Sequence, residues 1–371
     1  MRLGINGWRA CGQLTGVGRY LVNLLAEWRP EVTRAFDRVT LYTPEPVNRT
    51  ALALPNEIRD VVLGPAWRML LWENARLGPF VTDDVLFCPS FSRPFVTRAR
   101  TVVATHDMVY RVRPDLFPFS VRLYSRMYEW SDRLATLVVT DSEAVKEEIV
   151  RYCRVPASKV RVTYLAPAPC FAPMAMSDAA LAETRRRHVG GDVPFFLFVG
   201  KITGRRSLPL LLEAFARMKR RTTLEHRLLL VGAGTDSPAL VAMSRQLNIE
   251  QAVRHAGYMP DGELNAVYNA ATALVSAAVY ETSSLPVMEA QAAGLPVICF
   301  RNPGMSEITG DAAEMYERAE PDALCEALVR VAESRAHRQD LATRGLISAR
   351  RFSWARCARE TMAVLEEAAT M

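Results

Sequence analysis

Ala166-Pro167-Ala168-Pro169-Cys170-Phe171-Ala172-Pro173 places three prolines within seven residues. No helix interior or central strand accommodates that spacing, because each proline removes a backbone donor and fixes φ. The stretch reads as a domain linker, and the chain has the same grammar on either side of it. Before it lie apolar runs at Leu3–Asn6, Val39–Tyr42, Val61–Leu63, Val85–Cys88, Thr101–Thr105, Leu137–Thr140 and Val160–Tyr164. Helical patterns separate them at Val17–Glu27, Trp67–Phe80, Val121–Arg133 and Glu143–Tyr152. After it come strands at Phe195–Val199, Arg227–Val231, Val253–Ala256, Ala273–Ala277 and Pro296–Cys299. The helices of this half are expected at Leu208–Lys219, Ser237–Leu247, Asp261–Asn269, Pro286–Ala293 and Asp322–Ser334. Alternating strands and helices imply a mostly parallel sheet, and apolar runs without polar alternation imply strands covered on both faces. A chain of 371 residues exceeds one ordinary core. The expected class is α/β: two doubly wound parallel-sheet domains facing across a cleft, with ligands at the carboxyl ends of the strands.

Half of the residues are hydrophobic and 23% are charged, the profile of a soluble globular chain. No apolar run approaches the roughly 18 residues of a membrane span, and Met1-Arg2-Leu3-Gly4-Ile5-Asn6 reads as a first strand rather than a signal peptide. The seven cysteines are dispersed, with no C-x-x-C pair, so a reduced cytoplasmic protein is expected. Charge is uneven: residues 1–173 hold 23 Lys and Arg against 17 Asp and Glu, whereas residues 174–371 hold 23 of each. The basic first half is either a solvated arginine-rich surface or a seat for an anionic partner. Such a partner would be a phosphate-bearing acceptor or an acidic membrane surface, which makes the inner membrane a candidate peripheral contact. No nucleic-acid partner is expected.

The most informative stretch is Tyr280-Glu281-Thr282-Ser283-Ser284-Leu285-Pro286-Val287-Met288-Glu289, continuing to Val297. Pro286 suits the start of a helix, Ser283 or Ser284 can cap it, and Gly294 with Pro296 ends it. Glu281 then lies in the loop after a strand and Glu289 in the first helical turn. A helix N-terminus favours anions, phosphate above all, and a carboxylate there can accept two hydrogen bonds from a sugar diol. The alternative for Glu289 is a residue that merely complements the helix dipole. Arg205 and Arg206 form a basic turn before another helix. Thr15-Gly16-Val17-Gly18-Arg19-Tyr20 follows the first strand, and its glycines allow close backbone approach to a ligand. The loop is not G-x-G-x-x-G, which disfavours a dinucleotide site. His106 ends a strand at the ligand-bearing edge and is either structural or functional, with Asp107 bracing its loop. No His/Asp/Glu cluster has metal-ligand spacing, and Asp83-Asp84 is a bare acidic pair. Trp67-Arg68-x-Leu70-Leu71-Trp72 and the segment Phe117–Trp130 mix aromatics with arginines at helical spacing. Each is either a core-facing stripe with arginines outward or a surface for a lipid-linked acceptor, a glycan or a membrane.

The spacing Glu-x7-Glu followed by Ala-x-Ala-x-Gly-x-Pro-Val resembles the retaining glycosyltransferases of family 4, in the mannosyltransferase-like branch. Phe198-Val199-Gly200-Lys201-Ile202, with Arg206-Ser207-Leu208 and Leu212-Glu213-Ala214-Phe215, is similar to the strand, loop and helix that open that family's second domain. Leu230-Val231-Gly232-x-Gly234, Thr105-His106-Asp107 and Thr140-Asp141-Ser142-Glu143-Ala144 resemble further signatures. Phe352-Ser353-Trp354-x9-Val364 resembles the closing helix. Together these cover nearly the whole chain.

The resemblance implies the GT-B fold, two Rossmann-like domains. Residues 1–168 would be the acceptor domain, 169–351 the nucleotide-sugar donor domain, and 352–371 a helix packing back on the first. It implies that Glu289 binds the donor ribose and Glu281 faces the transferred sugar. Arg205 and Arg206 would hold the donor diphosphate, and His106 would lie beside the donor sugar. Gly16, Gly18 and Gly200, with the loop Ser283, Ser284, Leu285 and Pro286, would line the donor site. No cofactor and no metal are expected, since a cationic pair and a helix dipole serve the departing diphosphate. The partners are then a nucleotide sugar, with GDP-mannose favoured by the His-Asp signature, and a glycan or lipid-linked acceptor in surface polysaccharide synthesis. The family usually has Gly-Phe-Gly-Leu-Pro where this chain has Thr282-Ser283-Ser284-Leu285-Pro286. Without those glycines a different loop path is expected, with serine and threonine hydroxyls as new contacts. A nucleotide-sugar epimerase of the same fold, or a non-catalytic nucleotide-sugar binder, are the rival readings.

Overall fold

The computed structural model describes every residue except Gln13 and Thr15, so Thr15 of the glycine-rich loop lies outside the described residues. The chain forms two compact units, Met1–Ala166 with Phe352–Met371, and Pro167–Arg351.

The first unit is built on seven parallel strands: β1 (Arg2–Asn6), β2 (Arg38–Thr43), β3 (Ile58–Val62), β4 (Val85–Cys88), β5 (Arg100–Ala104), β6 (Leu137–Thr140) and β7 (Val160–Val162). Their order across the sheet is β3-β2-β1-β4-β5-β6-β7. Ile5 pairs with Leu41 on one side and Phe87 on the other, so the order reverses between β1 and β4. Val85–Cys88 and Leu137–Thr140 are buried along their whole length, as unbroken apolar runs require. The closing helix Trp354–Thr370 belongs to this unit. Ser353 caps it through Arg356 N, Arg161 pairs with Glu367, and Arg100 donates to the Ala369 carbonyl.

The second unit carries β8 (Phe195–Val199), β9 (Arg227–Val231), β10 (Val253–Gly257), β11 (Ala273–Ser276), β12 (Val297–Phe300) and β13 (Glu314–Tyr316). They too are parallel, in the order β10-β9-β8-β11-β12-β13, with the reversal between β8 and β11. Phe196, Phe198, Leu212, Phe215, Leu228 and Leu324 lie in its core.

Among the described residues, three helices of seven residues or more and one strand go beyond the sequence reading. The helices Asp178–Val189 and Arg335–Ala349 carry no continuous apolar stripe, and Pro303–Thr309 spans only seven residues. Strand β13 is three residues long and sits at the sheet edge. Two expected helices, over 67–80 and 143–152, widen to i→i+5 turns at Glu73–Leu77 and Ile149–Cys153. Asp83 is not a bare carboxylate: it is buried and accepts from Tyr42 Oη at 2.6 Å and Arg38 at 3.2 Å. Asp84 accepts from Arg2 N at 2.7 Å. The segment Phe117–Trp130 divides: Phe117 and Tyr128 pack against the core, with Tyr128 5.3 Å from Phe91, whereas Phe119, Tyr124 and Trp130 are exposed.

Candidate active site

In a doubly wound sheet, a crevice opens at the carboxyl ends of the two strands between which the order reverses. In the second unit these are the ends of β8 and β11, and the residues that follow them are Gly200 and the segment leading to Glu281. The chain leaves β8 at Gly200, turns through Gly204–Arg206, and enters the helix Leu208–Arg221 through Ser207, whose φ is +48°. That turn brings Arg205 Nη2 to 3.6 Å from Glu281 Oε1 and Arg206 Nη2 to 4.0 Å from Glu281 Oε2. Glu281 is 4% exposed. Arg206 also donates to the Val199 carbonyl at 3.2 Å. Burial holds the Arg206 guanidinium below its ordinary value, with Glu281 pulling the other way. Neither guanidinium is at hydrogen-bonding distance from the carboxylate by these contacts, and Glu281 Oε2 has no hydrogen-bond partner.

Two glycines make this geometry accessible. Gly200 has φ of +151°, and a Cβ there would lie 2.3 Å from Arg206 Nη1. Gly232, at the end of β9 with φ of +132°, would bring a Cβ within 2.2 Å of the Gly200 carbonyl oxygen. Only glycine fits either place. A third close approach supports the Glu281 loop from behind: a Cβ on Gly304 would sit 2.6 Å from the Glu281 carbonyl oxygen and from Thr282 Cα.

None of Thr282, Ser283 and Ser284 has a positive φ, so the loop without glycines follows its path with no left-handed residue. Ser284 occupies the cap position of the helix Leu285–Ala292, but its side chain makes no capping bond. Its carbonyl accepts from Val287 N and Met288 N at 3.0 and 3.1 Å. Ser283 Oγ is buried with no hydrogen-bond partner. The helix starts at Leu285, one residue before Pro286, so Glu289 is its fifth residue and not part of the first turn. A role in complementing the helix dipole is thereby weakened. Glu289 is 2% exposed, and Tyr268 Oη donates to its Oε2 at 3.0 Å. Tyr268, from the helix Asp261–Ala270, also lies 3.3 Å from the Pro286 carbonyl. Sequence reasoning missed this tyrosine, which is separated from Glu289 by a strand and a loop.

Gly16, Gly18 and His106 belong to the first unit and are described within it. Gly16 opens the helix Gly16–Ala26 with nothing near its Cβ position. Gly18 is buried, and a Cβ there would meet the Arg9 carbonyl at 2.7 Å, so the close approach is to the chain itself. His106 follows β5, with Nδ1 2.8 Å from Asp141 Oδ2 and Nε2 2.9 Å from the Pro89 carbonyl. Burial works to lower its pKa, but Asp141 and the Pro89 carbonyl prevail and leave it raised. Tyr20 and Phe91 meet the ring edge-on at 4.8 and 5.3 Å. Asp107 accepts from Val109 N at 3.2 Å and so braces the following turn.

Beside these, at the β1/β4 reversal, stands a network that sequence reasoning missed. Glu73, fully buried, accepts from Asn6 Nδ2 at 2.7 Å and from Ser92 Oγ at 2.8 Å. Burial pushes its carboxyl up to about 7, against those two hydrogen bonds and the Arg9 charge. Arg9 in turn donates to Ser90 Oγ at 2.9 Å. The available signal was Asn6, the last residue of β1, and Ser90, two residues past β4, at the carboxyl ends of the strands flanking a reversal.

Comparison with known proteins agrees with this architecture. Residues 182–346 match the family described as glycosyl transferases group 1. The O-antigen chain mannosyltransferase B of Escherichia coli is 26% identical over 94% of this chain and 95% of its own length. A D-inositol 3-phosphate glycosyltransferase of Corynebacterium diphtheriae is 27% identical over 81% of this chain and 70% of its own. Among solved structures, Anabaena HepE in complex with UDP-glucose superposes with a TM-score of 0.76 at 16% identity, covering 99% of this chain and 100% of that one. WaaG, a glycosyltransferase involved in lipopolysaccharide biosynthesis, gives 0.72 at 16% identity over 98% and 99% of the two chains. Two parallel-sheet units with the Glu281–Arg205–Arg206 cluster at a strand reversal, and these likenesses over nearly the full length, identify the chain as a glycosyltransferase of the GT-B fold, residues 182–346 matching group 1.

Proposed function

We propose that the protein transfers mannose from GDP-mannose, with retention of anomeric configuration and without a metal, to a glycan or lipid-linked acceptor in surface polysaccharide synthesis. The observation that carries this is the buried Glu281, flanked by two guanidiniums at 3.6 and 4.0 Å yet with Oε2 unbonded. A sugar hydroxyl can fill that vacant acceptor. Arg205 and Arg206 supply fixed positive charge where the bond to the diphosphate breaks and charge grows on the leaving phosphate. The acceptor oxygen then bonds the anomeric carbon on the face that the phosphate leaves, and the acceptor proton passes to the phosphate. Glu289, held by Tyr268, is proposed to bind the donor ribose. In the first unit His106 is proposed to lie beside the donor sugar, with Gly16 and Gly18 in the adjoining loop. The likeness to an O-antigen chain mannosyltransferase supports mannose and a polysaccharide acceptor.

The test is nucleoside diphosphate release from a panel of UDP-, GDP- and dTDP-sugars, with and without a membrane extract as acceptor source. GDP-mannose should turn over, EDTA should leave the rate unchanged, and the product anomer should match the donor. Glu281→Ala and Arg205→Ala should each reduce turnover by about 10²–10³. Thermal stabilisation by nucleotide without turnover of any donor, even with the extract, would instead establish the non-catalytic binder.

A further inference from the structure

The amino-terminal edge of the second sheet, opposite the edge that leads to Glu281, holds a cavity of about 410 Å³. Its floor is Pro194, His226, Thr272 and Pro296, each immediately before one of the neighbouring strands β8, β9, β11 and β12. Its walls come from the two helices that lack an apolar stripe. Asp178–Val189 supplies Arg185, and Arg335–Ala349 supplies Arg335, Arg338 and Gln339 from one helical face. None of the described residues that line the cavity is acidic.

Three guanidiniums and an imidazole therefore meet with little to offset them. Arg338 donates to the Val331 and Ala332 carbonyls, both at 2.7 Å, which fixes its head at the cavity. Burial, and then the charge of Arg335, hold Arg338 below its ordinary value. Arg185 meets one carboxylate, Asp192, at 3.5 Å, and a pair so long and half-exposed neutralises little. Arg185 Nε is buried with no hydrogen-bond partner. His226 is 5% exposed, stacks on Phe196 at 5.0 Å, and leaves its Nδ1 without a partner. Burial and the charges of Arg338, Lys219 and Arg185 pull His226 down to about 4, so at neutral pH its ring carries one N–H and no charge.

A solvated basic surface leaves its polar atoms in water, whereas here two nitrogens are sealed from water and unbonded. Such groups are rare in folded chains and call for a ligand or another explanation. Crowded like charges repel, and an anion seated among them reverses the sign of that interaction. Guanidinium forks match the oxygens of a phosphoryl group. The volume lies in the range of small-molecule sites, about 300–1,000 Å³, and leaves room for more than the phosphoryl group alone.

We propose that this cavity binds a phosphoryl group, free or carried on a small ester, through Arg185, Arg335 and Arg338 with His226. Strand β8 spans five residues between this edge and Gly200, roughly 17 Å at about 3.3 Å per residue, so the site is separate from the Glu281 cluster. It does not depend on which sugar the protein transfers. The test is isothermal titration of the full-length protein at low ionic strength with inorganic phosphate, ribose 5-phosphate and ribose. Wild type should take up both anions and not ribose. Tighter binding of ribose 5-phosphate assigns the site to an ester, and equal or weaker binding assigns it to free phosphate. Arg185→Gln with Arg335→Gln should weaken uptake about a hundredfold, about tenfold for each guanidinium. Gln339→Glu, at an exposed position, sets a carboxylate into the basic wall and should weaken uptake about tenfold. That variant decides the matter if the double substitution lowers the melting temperature. Arg205→Ala should retain the uptake, because it lies at the other edge of the sheet. Uptake unchanged in the cavity variants, uptake abolished by Arg205→Ala, or no uptake by wild type would each overturn the proposal.

Discussion

The two sheets reverse their strand order in the same way, and each places a buried carboxylate at or near the reversal, yet the two carboxylates are furnished differently. Glu73 in the first unit is closed by its own chain, through Asn6 and Ser92. Asp132, on the neighbouring helix, is closed by Thr105 and Cys153, and burial raises it to about 7 as well. Glu281 in the second unit is just as inaccessible, but its neighbours are two cations beyond hydrogen-bond reach and one of its oxygens accepts nothing. Buried polar groups in folded proteins are overwhelmingly hydrogen-bonded, so an exception calls for an explanation. The difference separates two uses of one topology. A carboxyl supplied with donors braces loops against a sheet edge, whereas a carboxylate left beside cations with an empty acceptor fits the proposed role of receiving a ligand hydroxyl.

The largest expected effect sharpens that contrast at Arg206. Arg206→Met should lower turnover by about 10²–10³, because the charge proposed to face the leaving group is lost. Arg206→Lys keeps the charge but replaces a fork with a point, so one ammonium must choose between the Val199 carbonyl and Glu281. Its loss should be about tenfold, between Met and wild type, read as kcat for nucleoside diphosphate release. Equal losses for Met and Lys would mean that the guanidinium geometry, and not its charge, is what the site requires.

The next effect belongs to the first unit and concerns stability. Burial raises Glu73 from 4.5 to about 7, so the native state holds this proton where the unfolded chain has released it. Stability is therefore fully present below about pH 4.5, declines as pH rises toward 7, and levels off above it. For Glu73 alone the decline amounts to about 3 kcal/mol at most. Asp132, raised from 3.8 to about 7, adds a decline of the same sign starting at lower pH. Denaturant unfolding of Glu73→Gln across pH 4.5–7.5 should show a flatter profile than wild type. An unchanged slope would place the coupling elsewhere and break the contrast with Glu281.

Much of this was legible in the chain because its physics is local. The strands announce themselves as unbroken apolar runs, and the Glu281–Glu289 spacing with Arg205-Arg206 marks the second-unit cluster within short stretches. What escaped has two physical origins. The helices Asp178–Val189 and Arg335–Ala349 are mostly solvated and lack the stripe that periodicity detects, and β13 has only three residues, one of them charged. Glu73 and Tyr268 escaped for another reason: their partners lie far along the chain, Asn6 67 residues from Glu73 and Glu289 21 residues from Tyr268. Only the folded sheet edge brings them together. The helix Phe119–Leu134 shows a third limit, since its periodicity was visible but not which face would turn outward.

The smallest expected effect lies at Ser283, and it tests whether an unsatisfied group near Glu281 awaits a ligand. Its hydroxyl is buried and unpartnered, so folding draws no hydrogen bond from it. Ser283→Ala should therefore leave the melting temperature of the second unit within about 1 °C of wild type, or raise it slightly, because an unmet buried hydroxyl costs stability. If the hydroxyl instead bonds the donor, the same substitution should raise the donor KM about fivefold, the equivalent of about 1 kcal/mol, with kcat little changed. Ser92→Ala provides the matching case in the first unit. There the hydroxyl already donates to Glu73, so removing it should lower stability by about 1 kcal/mol and leave donor KM alone. Opposite responses of two buried serine hydroxyls, one in KM and one in stability, would establish that the open edge belongs to the ligand and the closed edge to the fold. A stability loss at Ser283 with no change in KM would remove that distinction and return the Thr282–Ser284 loop to a purely structural role.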